Sequence, residues 1–255
     1  MSFELLTVPC LSDNYAFLAH DADTMVTLLV DAPEPEPILS KLKEKSWVLT
    51  HVFLTHHHWD HVDGLSKLLE YYSPQIIGSS SDTERLPPIH LPVRENDEIK
   101  IGNNVGTVFE VSGHTIGHIA IYFEESKLLF SADSLMALGC GRLFEGTAGQ
   151  MWHSLQKLST LPDDTIICSG HEYTETNSNF ALTIDPKNQD LITRHKNIKK
   201  LRSEDIPTVP STMNEEKNTN PFLRPWCKEI RANLDMIDAT DEEVFTKIRA
   251  LKDEY

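Results

Sequence analysis

Residues 49–55 form an apolar, β-rich run that passes directly into His56-His57-His58-Trp59-Asp60-His61. Four histidines and a carboxylate within six residues make a poor core, because imidazoles pack badly together and each carries polar nitrogens that burial leaves needing partners. They make a good metal site, since neutral imidazole and carboxylate suit zinc, iron or manganese. Alternate residues of an extended segment point the same way, so His56 and His58 can grip one ion while Asp60 and His61 reach past it to a second. A helical parse instead puts His57 and His61 four apart on one face, as in metalloprotease helices, but no Glu follows His57 in the base position. The bland alternative is a solvated histidine-rich loop, which the density of the cluster opposes. Asp63-Gly64 then turns the chain, and Leu65, Leu68, Leu69 and Tyr72 recur at helical spacing, so the cluster is expected between a strand and a packed helix.

Three further apolar runs end in metal-binding chemistry. Val108-Phe109-Glu110-Val111 leads to Ser112-Gly113-His114, Leu128-Leu129-Phe130 to Ser131-Ala132-Asp133, and Thr165-Ile166-Ile167-Cys168 to Ser169-Gly170-His171. Polar groups at successive strand ends emerge on one rim of a rigid scaffold. One arrangement that the spacing permits, among several, has His56, His58 and His114 on one ion, Asp60, His61 and His171 on the other, and Asp133 bridging both. That count leaves room for a bridging water, as a catalytic site requires.

The rest of the chain alternates short strands and helices before changing character. Leu5 to Cys10, Tyr15 to Ala19 and Thr24 to Val30 read as a three-strand meander with a turn at His20-Asp21-Ala22-Asp23. A proline-broken stretch precedes a short helix marked by Ile38, Leu42 and Trp47. Strands are expected at Ile76-Ile77, 98–101, 105–111, 119–124, 127–131 and 165–168, and a helix at 151–161. Beyond His171 polar helices take over: Leu191, Ile192, His195, Ile198 and Leu201 make one stripe, another helix follows Pro225, and Thr240 with Glu243 forms a capping-box pattern ahead of Val244, Phe245, Ile248 and Leu251. The boundary falls near residue 171, giving domains 1–171 and 172–255.

At 255 residues with 40% hydrophobic content, the chain can fill such a core. Lys plus Arg number 23 against 39 acids, a net charge of −16, which opposes nucleic-acid binding. Cys10, Cys140, Cys168 and Cys227 are widely separated and read as reduced thiols of a cytosol-like compartment. The first six residues lack the basic start and apolar core of a signal sequence, and no apolar run approaches the roughly 18 residues of a membrane span. The expectation is a cytoplasmic monomer with no membrane or nucleic-acid partner.

The cluster with His114, Asp133 and His171 resembles the metallo-β-lactamase superfamily. More narrowly, the chain is similar to the glyoxalase II family, the hydroxyacylglutathione hydrolases. The narrower resemblance rests on residues 8–15 (Val8-Pro9-Cys10 to Asn14-Tyr15), on Gly113-His114-Thr115 with Gly117-His118, on residues 139–147, on Gly170-His171-Glu172-Tyr173-Thr174, and on Asn220-Pro221-Phe222-Leu223-Arg224. It implies an α+β fold, a four-layer αββα sandwich followed by a smaller all-α C-terminal domain that helps to hold glutathione. It implies the ligand assignment above, two divalent ions (zinc first, with iron or manganese as alternatives), and Asp31 standing behind a ligand to orient it. It implies glutathione contacts from Arg142, Tyr173 and Arg224. Phe144 stands where the better-known animal pattern has a tyrosine, and Cys227 where a basic residue is usual, with Lys228 one position later.

The activity so implied is hydrolysis of S-(2-hydroxyacyl)glutathione, chiefly S-D-lactoylglutathione, by a metal-bridged hydroxide, the second step of methylglyoxal detoxification. Asp60 and Asp133 would be its catalytic carboxylates. A thiolate leaves without a dedicated general acid, and no uncommitted acid stands out in these motifs. A glutathione persulfide dioxygenase of the same fold, a tRNA-processing nuclease and a metal-storage protein are the rival readings; the helices carrying Asn220-Pro221-Phe222 oppose the first and the net charge the second.

Overall fold

A computed structural model describes residues 3–255; Met1 and Ser2, part of the segment read above for a targeting signal, lie outside the described residues. The chain forms two compact units, which interleave in sequence: one runs up to Glu110 and includes Gly117–Ala132, and the other comprises Val111–Ile116 and Asp133–Tyr255.

In the first unit, strands β1 (Glu4–Cys10), β2 (Asn14–Asp21) and β3 (Val26–Val30) form the expected antiparallel meander. Strand β2 runs past the expected turn as far as Asp21, because His20 is buried, stacked on Trp47 at 4.3 Å and bonded through Nδ1 to Thr27 Oγ1 at 2.9 Å. Helix α1 (Pro35–Lys45) starts inside the proline stretch. Proline's missing N–H costs nothing in a first helical turn and its φ is already helical, so the apparent breaker is the helix start. Strand β4 (Leu49–Phe53), the one-turn helices α2 (Trp59–Val62) and α3 (Leu65–Leu68), and strands β5 (Gln75–Ser79) and β6 (Leu91–Val93) follow. Strands β3 to β6 are parallel and complete a six-stranded sheet in the order β1-β2-β3-β4-β5-β6.

One face of that sheet carries Val8, Leu18, Leu29 and Val52, which pack with Ile38 and Leu42 of α1 and Leu65 and Leu68 of α3. The other face meets an antiparallel run of β7 (Glu98–Ile101), β8 (Asn104–Glu110), β9 (Ile119–Phe123) and β10 (Leu128–Ala132). Phe17 of β2 lies 5.8 Å from Phe130 of β10, and Phe3 lies 5.0 Å from Phe123 of β9. Every residue of β2, β9 and β10 is buried, and truncating Phe130 to alanine would cost about 3–5 kcal/mol.

The second unit contains the two-residue hairpin β11 (Leu135–Met136) and β12 (Gly139–Cys140), helix α4 (Ala148–Ser159) and strand β13 (Ile166–Ser169). Thr147 and Gln150 close a capping box on α4, which starts three residues earlier than the apolar pattern indicates. Past residue 171 come α5 (Thr174–Ile184), α6 (Gln189–Ser203), a two-residue strand β14 (Ser211–Thr212) paired with β13, α7 (Met213–Thr219), a 3-10 turn at Pro221–Leu223, α8 (Lys228–Asn233) and α9 (Asp241–Glu254). Thr240 and Glu243 form the expected capping box on α9. Phe180, Phe222, Phe245 and Trp152 build an aromatic centre with ring separations of 6.2, 5.7 and 5.5 Å. No helix among the described residues is long and apolar enough to cross a membrane.

Candidate metal and substrate site

Strand β4 ends at Phe53, and the backbone that follows is pinned by a buried carboxylate. Asp31 sits directly after β3 in the left-handed region, φ 57°, a conformation that costs a non-glycine residue about 1 kcal/mol or more. That turn aims both its oxygens at residue 55: Oδ1 accepts from Thr55 N at 2.9 Å and Oδ2 from Thr55 Oγ1 at 2.8 Å. Oδ2 also accepts from His61 Nδ1 at 2.7 Å.

These bonds fix two tautomers. An ionised carboxylate only accepts, so His61 carries its proton on Nδ1 and presents a lone pair at Nε2. Thr55 must donate to Asp31, which leaves its oxygen to accept from His56 Nδ1 at 3.0 Å, so His56 likewise presents Nε2. That nitrogen lies 3.1 Å from His58 Nδ1, and His61 Nε2 lies 3.8 Å from Asp60 Oδ2. Asn14 holds Asp60 in turn, donating to its Oδ2 at 3.0 Å and to its backbone oxygen at 3.1 Å. Asp31, His56 and His61 offer ligand atoms within 4.8 Å of one another. With both Asp31 oxygens engaged by donors, its place is behind the imidazoles rather than on an ion.

The cluster is extended only as far as His58, which caps α2 with φ −60° and ψ 142°. Asp60 and His61 leave from the helical turn α2, and not from an extended segment as their spacing had indicated. His57 turns away, its Nδ1 3.0 Å from Asp82 Oδ2, while Arg85 Nε donates to Asp82 Oδ1. Four participants carried no signal of their own in the sequence: Asn14, Thr55, Asp82, and His118, whose buried ring stacks on His56 at 4.7 Å. Asn14, Thr55 and His118 lie within stretches that the sequence singles out, and Asp82 does not.

The second unit carries a matching arrangement. His114 Nδ1 donates to the backbone oxygen of Arg142 at 2.8 Å, which again fixes the tautomer and leaves Nε2 as the donor atom. Asp133 Oδ2 lies 3.4 Å from His114 Nε2 and 3.3 Å from His171 Nε2; all three residues are buried. Asp133 follows Ala132, another left-handed residue at φ 41°. Gly141 is required here, since a Cβ would fall 1.9 Å from the Asp133 carbonyl oxygen.

The exposed rings of Phe144 and Tyr173 flank these imidazoles. Phe144 meets His114 edge-on at 5.3 Å, and Tyr173 stacks on His171 at 4.6 Å. The Arg142 guanidinium lies 5.9 Å over Phe144. Arg224 is already engaged, donating from Nη1 to Asn218 O at 2.7 Å and from Nη2 to Asp185 Oδ2 at 3.1 Å. Cys227 is buried and donates to Glu229 Oε2 at 3.1 Å, and Lys228 is exposed at the first residue of α8.

Nitrogen and oxygen donors with fixed tautomers fit divalent ions. The four cysteines are buried and free. Burial raises the Cys168 and Cys140 thiols and pushes Cys10 up to about 11, and among the described residues the groups whose ligand atoms converge contain no cysteine.

Residues 20–171 match the sequence model of the metallo-beta-lactamase superfamily, and residues 172–255 match that of the hydroxyacylglutathione hydrolase C-terminus. The hydroxyacylglutathione hydrolase of Ruegeria pomeroyi is 56% identical over 255 residues, with 100% of both chains covered. That of Cereibacter sphaeroides is 53% identical over 255 residues, again with 100% of both covered. Among solved structures, ETHE1 from Myxococcus xanthus is similar with a TM-score of 0.67 and 26% identity, covering 98% of this chain and 90% of that one.

Proposed function

The chain belongs to the hydroxyacylglutathione hydrolase family of the metallo-β-lactamase superfamily, and from that premise we propose that it hydrolyses S-(2-hydroxyacyl)glutathione, chiefly S-D-lactoylglutathione, to the 2-hydroxy acid and glutathione. The observation that carries the chemistry is the set of imidazoles whose Nδ1 atoms are tied back by Asp31, Thr55 and the Arg142 carbonyl. Such a set is built to present Nε2 to cations.

His56, His58 and His114 would hold one divalent ion, Asp60, His61 and His171 a second, with Asp133 shared, and zinc is the ion this donor set suits best. Ions bound there would supply Lewis acidity toward the thioester oxygen and bring the pKa of water down to roughly 7. Asp60, steadied by Asn14, orients the attacking water and takes up its proton. Addition to the carbonyl carbon and collapse break the C–S bond. The departing thiol has a pKa on the order of 8.5, so it leaves as the thiolate without a proton donor.

Arg142, Tyr173 and Phe144 form the substrate flank, with Arg224 and Lys228 toward the glycine end of glutathione. Phe144 offers a ring without a hydroxyl, and Arg224 shares its charge with Asp185, so binding of the glutathione moiety is weaker than in a tyrosine-bearing relative. Functionally the chain divides at 171, where the two family matches abut, into a hydrolytic domain and a helical domain that shapes the substrate side. The protein acts as a cytoplasmic monomer. Purified protein should release thiol from S-D-lactoylglutathione and consume no oxygen with glutathione persulfide. Oxygen uptake without thiol release would move the assignment to a dioxygenase.

A further inference from the structure

The residues between Asp133 and Arg142 form a hairpin too short to hold itself. Strands β11 and β12 are two residues each, paired only as Leu135 with Cys140 and Met136 with Gly139. Their backbone groups are instead met by side chains from the helices. Asn220 Nδ2 donates to Met136 O at 3.1 Å and to Gly139 O at 3.0 Å, and Asn177 Nδ2 donates to Ala137 O at 3.1 Å. Glu216, itself buried, accepts from Leu138 N at 2.7 Å.

The last two carbonyls before Arg142 belong to one residue of α9. Arg249 Nη1 donates to Cys140 O at 3.0 Å and lies 3.5 Å from Gly141 O. Arg249 is 5% exposed, and its guanidinium packs 5.3 Å over the Phe222 ring. The other arm, Nη2, bonds Asp253 Oδ1 at 2.9 Å, and that same oxygen lies 3.7 Å from Arg142 Nε. One side chain thus fixes the backbone entering Arg142 and the carboxylate facing its side chain. Arg142 in turn receives His114 through its carbonyl.

We infer that Arg249, with Asp253, is a positioning residue for substrate binding, acting through Arg142. The inference rests on the reading of Arg142 as a substrate contact. A planar fork holds donors toward a carbonyl and a carboxylate at a fixed separation, whereas an ammonium gathers its three donors on one flexibly held nitrogen and does not match that spacing. Arg249→Lys should therefore loosen Arg142 without removing the buried charge.

The test is steady-state hydrolysis of S-D-lactoylglutathione by the full chain, with metal per chain, melting temperature and the affinity for free glutathione measured on the same samples. Arg249→Lys should raise KM about fivefold, weaken glutathione binding in parallel, and leave kcat within about twofold and metal content unchanged. Asp253→Asn keeps the carbonyl bonds, and covers the case in which the lysine variant fails to fold. It should raise KM about twofold. In an Arg142→Met background both changes should add little, because their route is already cut. Unchanged KM in both variants, or equal fold-changes with and without Arg142, would overturn the inference while leaving the hydrolase standing. A parent enzyme that neither cleaves the thioester nor binds glutathione would overturn the functional reading, and this inference with it.

Discussion

Replacing Asp31 by asparagine should weaken metal binding far more than its position behind the ligands suggests. The carboxylate takes three donors, Thr55 N at 2.9 Å, Thr55 Oγ1 at 2.8 Å and His61 Nδ1 at 2.7 Å. An amide offers one oxygen and one NH2. If the NH2 takes the Oδ1 position it opposes the Thr55 N–H, leaving two buried donors face to face at a cost of roughly 1–3 kcal/mol. If it takes the Oδ2 position it donates to His61 Nδ1, which moves the imidazole proton to Nε2 and removes the lone pair meant for the ion. Thr55 then loses its reason to donate, and the His56 tautomer is released with it. Loss of such a supporting contact typically lowers metal affinity 10–100-fold, about 1.4–2.7 kcal/mol. The assay is a competitive metal titration against a chromogenic chelator, beside thermal unfolding of the metal-free protein. Asp31→Asn should show the affinity loss together with a lower melting temperature. Unchanged metal affinity in a folded variant would refute the argument that this carboxylate sets both tautomers.

Three other outcomes are expected. Asp133→Asn should lower turnover more than about 100-fold and release at least one ion; full turnover at normal metal content would remove Asp133 from the site. Phe144→Tyr adds one hydroxyl at the substrate flank and should lower KM about two- to tenfold, the worth of one net hydrogen bond, as read from initial rates. His20 is buried against Trp47, and burial lowers its pKa below the ordinary 6.5. Its unfolded form therefore takes up a proton first as pH falls, so the stability it contributes is present above about pH 6.5 and lost below it. Metal-free protein should melt lower at pH 5 than at pH 7, and His20→Phe should lose less over that interval; an identical drop would show that His20 carries none of it.

Features that were legible in the sequence are local ones. The histidine cluster, the polar residues that follow successive strands, and the Thr240 capping box each depend on residues a few positions apart; the cluster begins just past β4 and the capping box stands where its pattern places it. The α2 turn was invisible because four residues are too few to display a helical period, so Asp60 and His61 read as part of an extended run. Helix α1 was placed late because its prolines look like breakers until the first-turn exception is applied. The roles of Asn14 and Thr55 depend on partners 46 and 24 positions away, and the pairing of Arg224 with Asp185 spans 39. Such contacts arise from the tertiary packing of strands and helices, which no local spacing encodes. For the same reason no local pattern singles out Arg249, whose partner Cys140 lies 109 residues earlier.

The central claim is that hydrolysis depends on two ions held by His56, His58, Asp60, His61, His114, Asp133 and His171. The direct measurement is reconstitution: metal-free protein is titrated with zinc while thiol release from S-D-lactoylglutathione and bound metal are followed together. The account predicts negligible release without metal and a rise that reaches its plateau close to two ions per chain. Full activity in the metal-free protein, or a plateau at one ion with a second that binds and adds nothing, would contradict it.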